Sequence, residues 1–128
     1  MKNNFNQRVI YQDTDAEGVV YYANYLGFFE RGRTELIRQM GISLKKIKEE
    51  NGIVFAVEKV ACDYTSPAFY DDEITIETEI EKVTGARIIF LQSAVRAGKT
   101  LVSAKITLFA LNIKDFKPVR IPPELKIS

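Results

Sequence analysis

Histidine is absent from this 128-residue chain, and cysteine occurs once, as Cys62. Without an imidazole, the usual histidine-assisted nucleophiles are excluded, so hydrolysis here would have to run on a carboxylate. A lone cysteine excludes an intrachain disulfide and fits a reducing cytoplasm. With no histidine beside it, neither a zinc site nor any other cofactor is expected. Long apolar runs are missing too: no segment approaches the roughly 20 residues that span a bilayer, and the first seven residues lack the apolar core of a signal peptide. Blocks of one charge are also absent. The 18 Lys/Arg are interleaved with 17 Asp/Glu to a net charge of +1, which argues against nucleic acid as a partner. What is present is ordinary for a globular protein, 46% hydrophobic and 27% charged. The length suits a single domain, residues 1–128.

Periodicity divides the chain into a helical first part and a β-rich remainder. Residues 6–11 read as a short strand. From 24 to 40, Tyr25, Leu26, Phe28, Phe29, Leu36, Ile37 and Met40 recur at helical spacing over a wide arc, and Gly41 supplies a stop. Gly27 and Gly32 each cost about 1 kcal/mol against Ala inside a helix. Gly32, on the apolar face, is either simply tolerated or marks a place where something large packs very closely. Ser43 can cap a second short helix, 44–50, ending at the Asn51-Gly52 turn. Strands follow at 53–64, 73–83, 87–96 and 101–112. In the second of these Ile74, Ile76, Thr78 and Ile80 face one way, while Glu73, Thr75, Glu77, Glu79 and Glu81 face the other, as a solvated surface. In the last, Val102, Ala104, Ile106, Leu108 and Ala110 share a face. The tail from about 113, with Pro118, Pro122 and Pro123, reads as extended or loosely attached. This order predicts an α+β fold, a helix on one face of a curved, five-stranded antiparallel sheet. Segment 53–64 is too apolar for an exposed edge, so it is expected to pair across a two-fold axis in a homodimer.

Between the first strand and the long helix lies Tyr11-Gln12-Asp13-Thr14-Asp15-Ala16-Glu17-Gly18-Val19-Val20-Tyr21-Tyr22-Ala23-Asn24-Tyr25. A carboxylate beside a helix N-terminus has free N–H groups and the positive end of the dipole for neighbours, and those groups can hold a developing oxyanion. The run from Asp13 to Gly18 imitates the opening of a calcium loop, but its twelfth position is Asn24 rather than glutamate. The plain alternative is that Asp13 or Asp15 makes an Asx turn or a cap. Two features favour chemistry: three acids within five residues exceed what one cap requires, and an apolar, aromatic wall follows at once.

With Phe28-Phe29-Glu30-Arg31-Gly32-Arg33-Thr34-Glu35 downstream, this string closely resembles the signature of the 4-hydroxybenzoyl-CoA thioesterase-like hotdog proteins. The branch it looks most like is the acyl-CoA thioesterases associated with the Tol-Pal system. Asp63-Tyr64-Thr65-Ser66-Pro67-Ala68, followed by Asp71-Asp72-Glu73-Ile74, also matches that family, and the similarity spans residues 8–112. The resemblance implies a hotdog fold, an antiparallel five-stranded sheet wrapped around one long central helix. It implies hydrolysis of an acyl-CoA thioester to free acid and CoA, in homodimers or homotetramers with active sites at the subunit interface. Carried over, the catalytic carboxylate is Asp15, the amide that polarises the thioester carbonyl falls near Tyr22, and Tyr11 matches an assisting tyrosine of some members. The close branch usually has histidine where Tyr22 stands, whereas the 4-hydroxybenzoyl-CoA enzymes resemble this chain there.

Glu17, Gly18, Val19, Tyr25 and Lys59 complete the expected substrate-binding set, although Tyr25, with Phe28 and Phe29, also reads as core. Glu17 and Asp13 can orient water or simply solvate the turn. Glu30 and Arg33 are expected to form an i,i+3 ion pair. Lys59, Lys82, Arg87, Arg96 and Lys99 are available to the CoA phosphates, and spacing does not say which converge. Tyr22 offers an aromatic acyl group a stacking surface. The rival reading is a non-catalytic module that binds acyl groups or an acyl-carrier protein, which would have no need of Asp15 as an ionised group.

Overall fold

The computed structural model describes residues 2–126, so Met1, Ile127 and Ser128 of the expected 1–128 domain lie outside the described residues. Five strands, β1 (Lys2–Arg8), β2 (Ile53–Tyr64), β3 (Glu73–Thr84), β4 (Arg87–Arg96) and β5 (Lys99–Asn112), form one antiparallel sheet in the spatial order β1-β3-β4-β5-β2. Two helices accompany it, α1 (Asn24–Gln39) and α2 (Leu44–Asn51). The expected long helix is therefore joined by a second one. Ser43 accepts the Lys46 N–H at 3.2 Å to start α2, Gly52 ends it, and Ile47 is its buried contribution to the core.

Alternation decides which sheet face carries the core. Ile74, Ile76 and Thr78 of β3, Ile88, Phe90, Gln92 and Ala94 of β4, and Val102, Ala104, Ile106, Leu108 and Ala110 of β5 are all buried. Against them α1 sets Tyr25, Phe28, Phe29, Leu36 and Ile37. Burying one such large side chain stabilises the fold by about 1.5–3 kcal/mol. On the opposite face Glu79 pairs with Lys2 at 3.8 Å and Glu81 with Lys105 at 3.2 Å, as a solvated acidic stripe requires.

Gly32 marks a close approach. A methyl group there would run into the Thr78 hydroxyl and come within 3.0 Å of both the Gln92 amide nitrogen and an Ile76 methyl. The resulting contact hosts a small polar network: Gln92 Nε2 donates to the Phe29 carbonyl and to Thr78 Oγ1, both at 2.8 Å. Arg33 joins it instead of pairing with Glu30. Its guanidinium donates to Gln92 Oε1 at 3.1 Å and sits 5.9 Å from the Phe90 ring centroid, while Glu30 stays exposed. The reason is position on the helix: Arg33 lies on the face that meets the sheet, and Glu30 at its edge. Burial holds the Arg33 pKa below its ordinary value, with the Glu30 charge acting in the opposite direction.

Two further expectations are corrected. β1 occupies residues 2–8 rather than 6–11, pairing Asn3 with Thr78 and Phe5 with Ile76; its asparagines have low strand preference, and tertiary pairing overrides it. The tail is docked rather than loose. Val119 donates to the Ala110 carbonyl and Ile121 to that of Gly85, both at 2.9 Å, and Ile121 and Leu125 are buried. Those two apolar side chains anchor a proline-rich segment that touches the sheet through a single antiparallel bridge, Pro118 to Leu111. At the other extreme β2 is an edge strand, with Val57 and Val60 exposed.

Candidate active site

The acid-rich stretch folds into a short hairpin that leads into α1. Tyr11–Asp13 makes one turn of 3-10 helix, and Asp13 Oδ2 accepts the Ile10 N–H at 2.9 Å. Thr14 then bridges Val20, the Asp15 N–H donates to the Val19 carbonyl at 2.9 Å, and the Gly18 N–H returns to the Asp15 carbonyl at 3.0 Å. So tight a reversal needs a residue of positive φ, which Gly18 supplies at 79°.

Asp15 stands exposed at the tip of this hairpin, where its Oδ1 accepts the Glu17 N–H at 2.8 Å. That is an Asx turn, and it uses one oxygen only. Oδ2 has no hydrogen-bond or ion-pair partner among the described residues. The hairpin body, not the carboxylate, reaches the helix: the Tyr21 N–H and Asn24 Nδ2 both donate to the Asp13 carbonyl, at 2.9 and 2.8 Å. The direct placement of Asp15 against the helix start is thus replaced by a hairpin that links the two. Among the described residues the Tyr22 N–H has no hydrogen-bond partner, and α1 begins two residues later without a side-chain cap. It remains free to donate to a carbonyl oxygen. Asp13, Asp15 and Glu17 do not converge, and no three His, Cys, Asp or Glu among the described residues are placed to hold a metal.

Beside the hairpin lies a cleft of about 260 Å³ lined by Val20, Tyr22, Tyr25, Tyr64, Thr65, Ser66 and Pro67. Tyr64 meets Tyr22 and Tyr25 edge-on at centroid distances of 6.2 and 5.8 Å, and its hydroxyl donates to the Tyr22 carbonyl at 3.2 Å. Burial, then the neighbouring Cys62, pushes the Tyr64 phenol up to about 12. Burial likewise raises Tyr25, against a hydrogen bond at the Ala68 backbone that lowers it. The Tyr21 phenol is raised chiefly by its neighbour Tyr22, with a smaller push from the Asp15 charge. These rings are neutral hydroxyl donors at physiological pH.

The expected residues gather only in part. Asp15, Glu17, Gly18 and Val19 share the hairpin, and Tyr22 and Tyr25 line the cleft next to it, Tyr25 being core as well. Tyr11 instead stacks flat on Tyr70 at 4.0 Å and makes no side-chain hydrogen bond to Asp15 among the described residues. Lys59 sits at the β2 bulge opposite Thr107, about 17 Å along the strand from Tyr64. Of the other basic residues considered for CoA, Arg87 is held by Glu58 and Arg96 by Asp72, each at 2.7 Å, so neither is free. Sequence reasoning assigned no role to Tyr64, Thr65, Ser66 or Pro67. The signal was there: they form the second family-like block, which ends β2 in a proline turn.

Comparison with known proteins fits this geometry. A family model described as the thioesterase-like superfamily matches residues 9–127. The acyl-CoA thioesterase YbgC of Haemophilus influenzae is 42% identical over 97% of this chain and 91% of its own length. The acyl-CoA thioester hydrolase YbgC of Escherichia coli O6:H1 is 38% identical over 92% of this chain and 88% of its own. The crystal structure of a probable thioesterase from Bartonella henselae, 36% identical, superposes with a TM-score of 0.89 over 95% of this chain and all of that one. The five-stranded antiparallel sheet with its helices is thus a hotdog thioesterase fold, and this chain belongs to the thioesterase-like superfamily.

Proposed function

We infer that Asp15 is the carboxylate with which this acyl-CoA thioester hydrolase opens its substrate. The observation that carries the reading is the arrangement at the hairpin. Among the described residues, one Asp15 oxygen is fixed by the Glu17 N–H while the other has no partner, and the Tyr22 N–H, one residue beyond the Tyr21–Asp13 bond of the same hairpin, has none either. The free oxygen acts in one of two ways. As general base it takes a proton from water as that water attacks the carbonyl carbon. As nucleophile it attacks that carbon itself, forming an acyl–aspartyl anhydride that water then opens. Either route breaks the C–S bond, consumes one water, and releases free acid and CoA. The Tyr22 N–H takes the charge that develops on the carbonyl oxygen, a role worth about 3 kcal/mol for one donor.

A single domain carries this activity, with α1 as the central helix around which the sheet curves. Two copies pair through the β2 edge, so that the exposed hairpin and cleft of one protomer are covered by the other and water is excluded from the reaction. Pairs of dimers extend this to tetramers. Tyr11 steadies the hairpin through its stack on Tyr70, Lys59 approaches the CoA moiety from across the dimer, and the protein works in the cytoplasm.

The test is release of free thiol from short-chain, long-chain and aromatic acyl-CoA esters. Asp15→Asn is expected to lower kcat by about 100-fold or more, with an unchanged melting temperature. Near-normal turnover in that variant rejects the assignment. Wild-type turnover no faster than buffer across the panel favours the module that binds acyl groups or an acyl-carrier protein.

A further inference from the structure

The hairpin that carries Asp15 is short, and much of its anchorage lies in one irregular segment, residues 65–72. The Val20 N–H donates to the Ala68 carbonyl at 2.9 Å, the Tyr70 N–H to the Gly18 carbonyl at 3.2 Å, and Val19 bridges Phe69. Tyr11, at the hairpin's base, stacks on Tyr70 at 4.0 Å. The segment has no regular secondary structure of its own between Tyr64 and Glu73, and Asp71 is held at a positive φ of 70°. Something must hold it in shape.

Backbone bonds to Leu101 and Val9, with the Arg8 guanidinium on the Asp71 carbonyl, secure its two ends, and the last residue of β4 ties its middle together. Arg96 donates one guanidinium nitrogen to Asp72 Oδ2 at 2.7 Å and to the Pro67 carbonyl at 3.1 Å. The same guanidinium lies 5.7 Å from the Phe69 ring centroid, and Asp72 Oδ2 also accepts the Phe69 N–H at 2.8 Å. A single charged group thereby fixes residues 67, 69 and 72, the same stretch to which Gly18, Val19 and Val20 are bonded. We propose that Arg96 and Asp72 are positioning residues for catalysis, clamping loop 65–72 so that it holds the Asp15 hairpin in register with the Tyr22 N–H. The proposal rests on the reading of Asp15 as the catalytic carboxylate. Burial pushes the Asp72 carboxyl up, but the Phe69 N–H and the Arg96 guanidinium outweigh it and hold that carboxyl below its ordinary value.

The competing role for Arg96 is a direct contact with a CoA phosphate. The two roles part in kinetics. A phosphate ligand contributes to binding, so its loss raises KM, and losing Asp72 would free the guanidinium for it. A clamp acts on geometry at the reacting centre. Its loss lowers kcat, by an order of 10- to 100-fold for a displacement near one ångström, with KM kept.

Steady-state thiol release is measured for wild type, Arg96→Gln, Arg96→Lys, Asp72→Asn and Asp15→Asn, with thermal unfolding of each. The expected result is a lower kcat at unchanged KM in both Arg96→Gln and Asp72→Asn, partial recovery in Arg96→Lys, and Asp15→Asn inactive. Lysine can still reach the Asp72 carboxylate but cannot serve Pro67 and the Phe69 ring in the same way. Wild-type kcat in both Arg96→Gln and Asp72→Asn overturns the clamp, as does a raised KM in Arg96→Gln alone or a loss that follows the folded fraction. Should those losses occur while Asp15→Asn still turns over, the catalytic reading fails and the proposal falls with it.

Discussion

Tyr64 ends β2 with its ring against Tyr22 and Tyr25, and burial followed by Cys62 lifts its phenol from the ordinary 10.0 to about 12. A phenol whose pKa is raised on folding binds its proton more tightly in the native state than in the unfolded chain. Its contribution to stability is complete below about pH 10 and is lost as pH rises towards about 12. Urea unfolding of wild type and Tyr64→Phe across that window is expected to show wild type losing stability relative to the variant. A stability difference that stays flat there would show that the phenol titrates as an ordinary tyrosine. At this scale the sequence was legible where a residue acts on its near neighbours. Asp13 capping the turn before it, and Asp15 making an Asx turn with Glu17, are contacts two or three residues long. Arg33 was not legible, because its partner Gln92 lies 59 residues away and reaches it only through the packing of α1 on β4.

The packing of α1 rests on one of its two glycines and not on the other. Gly27 faces open space, with nothing within 4 Å of a methyl placed there, whereas at Gly32 that methyl meets Thr78, Gln92 and Ile76. Thr78 and Gln92 are buried and bonded to each other, so they have little room to yield. Gly27→Ala is therefore expected to stabilise the protein by up to about 1 kcal/mol through helix propensity. Gly32→Ala should destabilise it by about 1–3 kcal/mol through overpacking. Denaturant midpoints of the two variants check this, and equal shifts in the same direction would contradict it. The long, strongly patterned elements were readable because their own periodicity states which face is buried. α1, β3, β4 and β5 agree with that reading to within about two residues, a scatter usual for element ends. β1 and the tail were misread for the same reason in reverse: neither carries a period of its own, and both are ordered by what they dock against.

For the whole molecule, the exposed edge governs. β2 presents Val57 and Val60 to solvent along a strand whose outer hydrogen-bonding groups have no neighbour in the sheet. An apolar open edge of this kind invites a second strand. Sedimentation at micromolar concentration is expected to give a dimer or tetramer, and Val60→Lys to shift it towards monomer with a parallel loss of thioesterase activity. A fully active monomer would reject the covered-site reading. No helix among the described residues is long and apolar enough to cross a membrane.

The amino-acid order alone determined the α+β class, the antiparallel character, the buried faces of β3 and β5, and the turn at which chemistry is expected. Each of these follows from spacing along the chain and from the conformational preferences of Gly, Pro and Asp, which act over a few residues. Only the tertiary structure decided that Asp15 rides on a hairpin bonded to loop 65–72, and that Arg33 turns to Gln92 while Arg96 turns to Asp72. Those outcomes depend on groups brought together from 24 to 59 positions apart, where the winning contact is set by packing and desolvation rather than by local propensity.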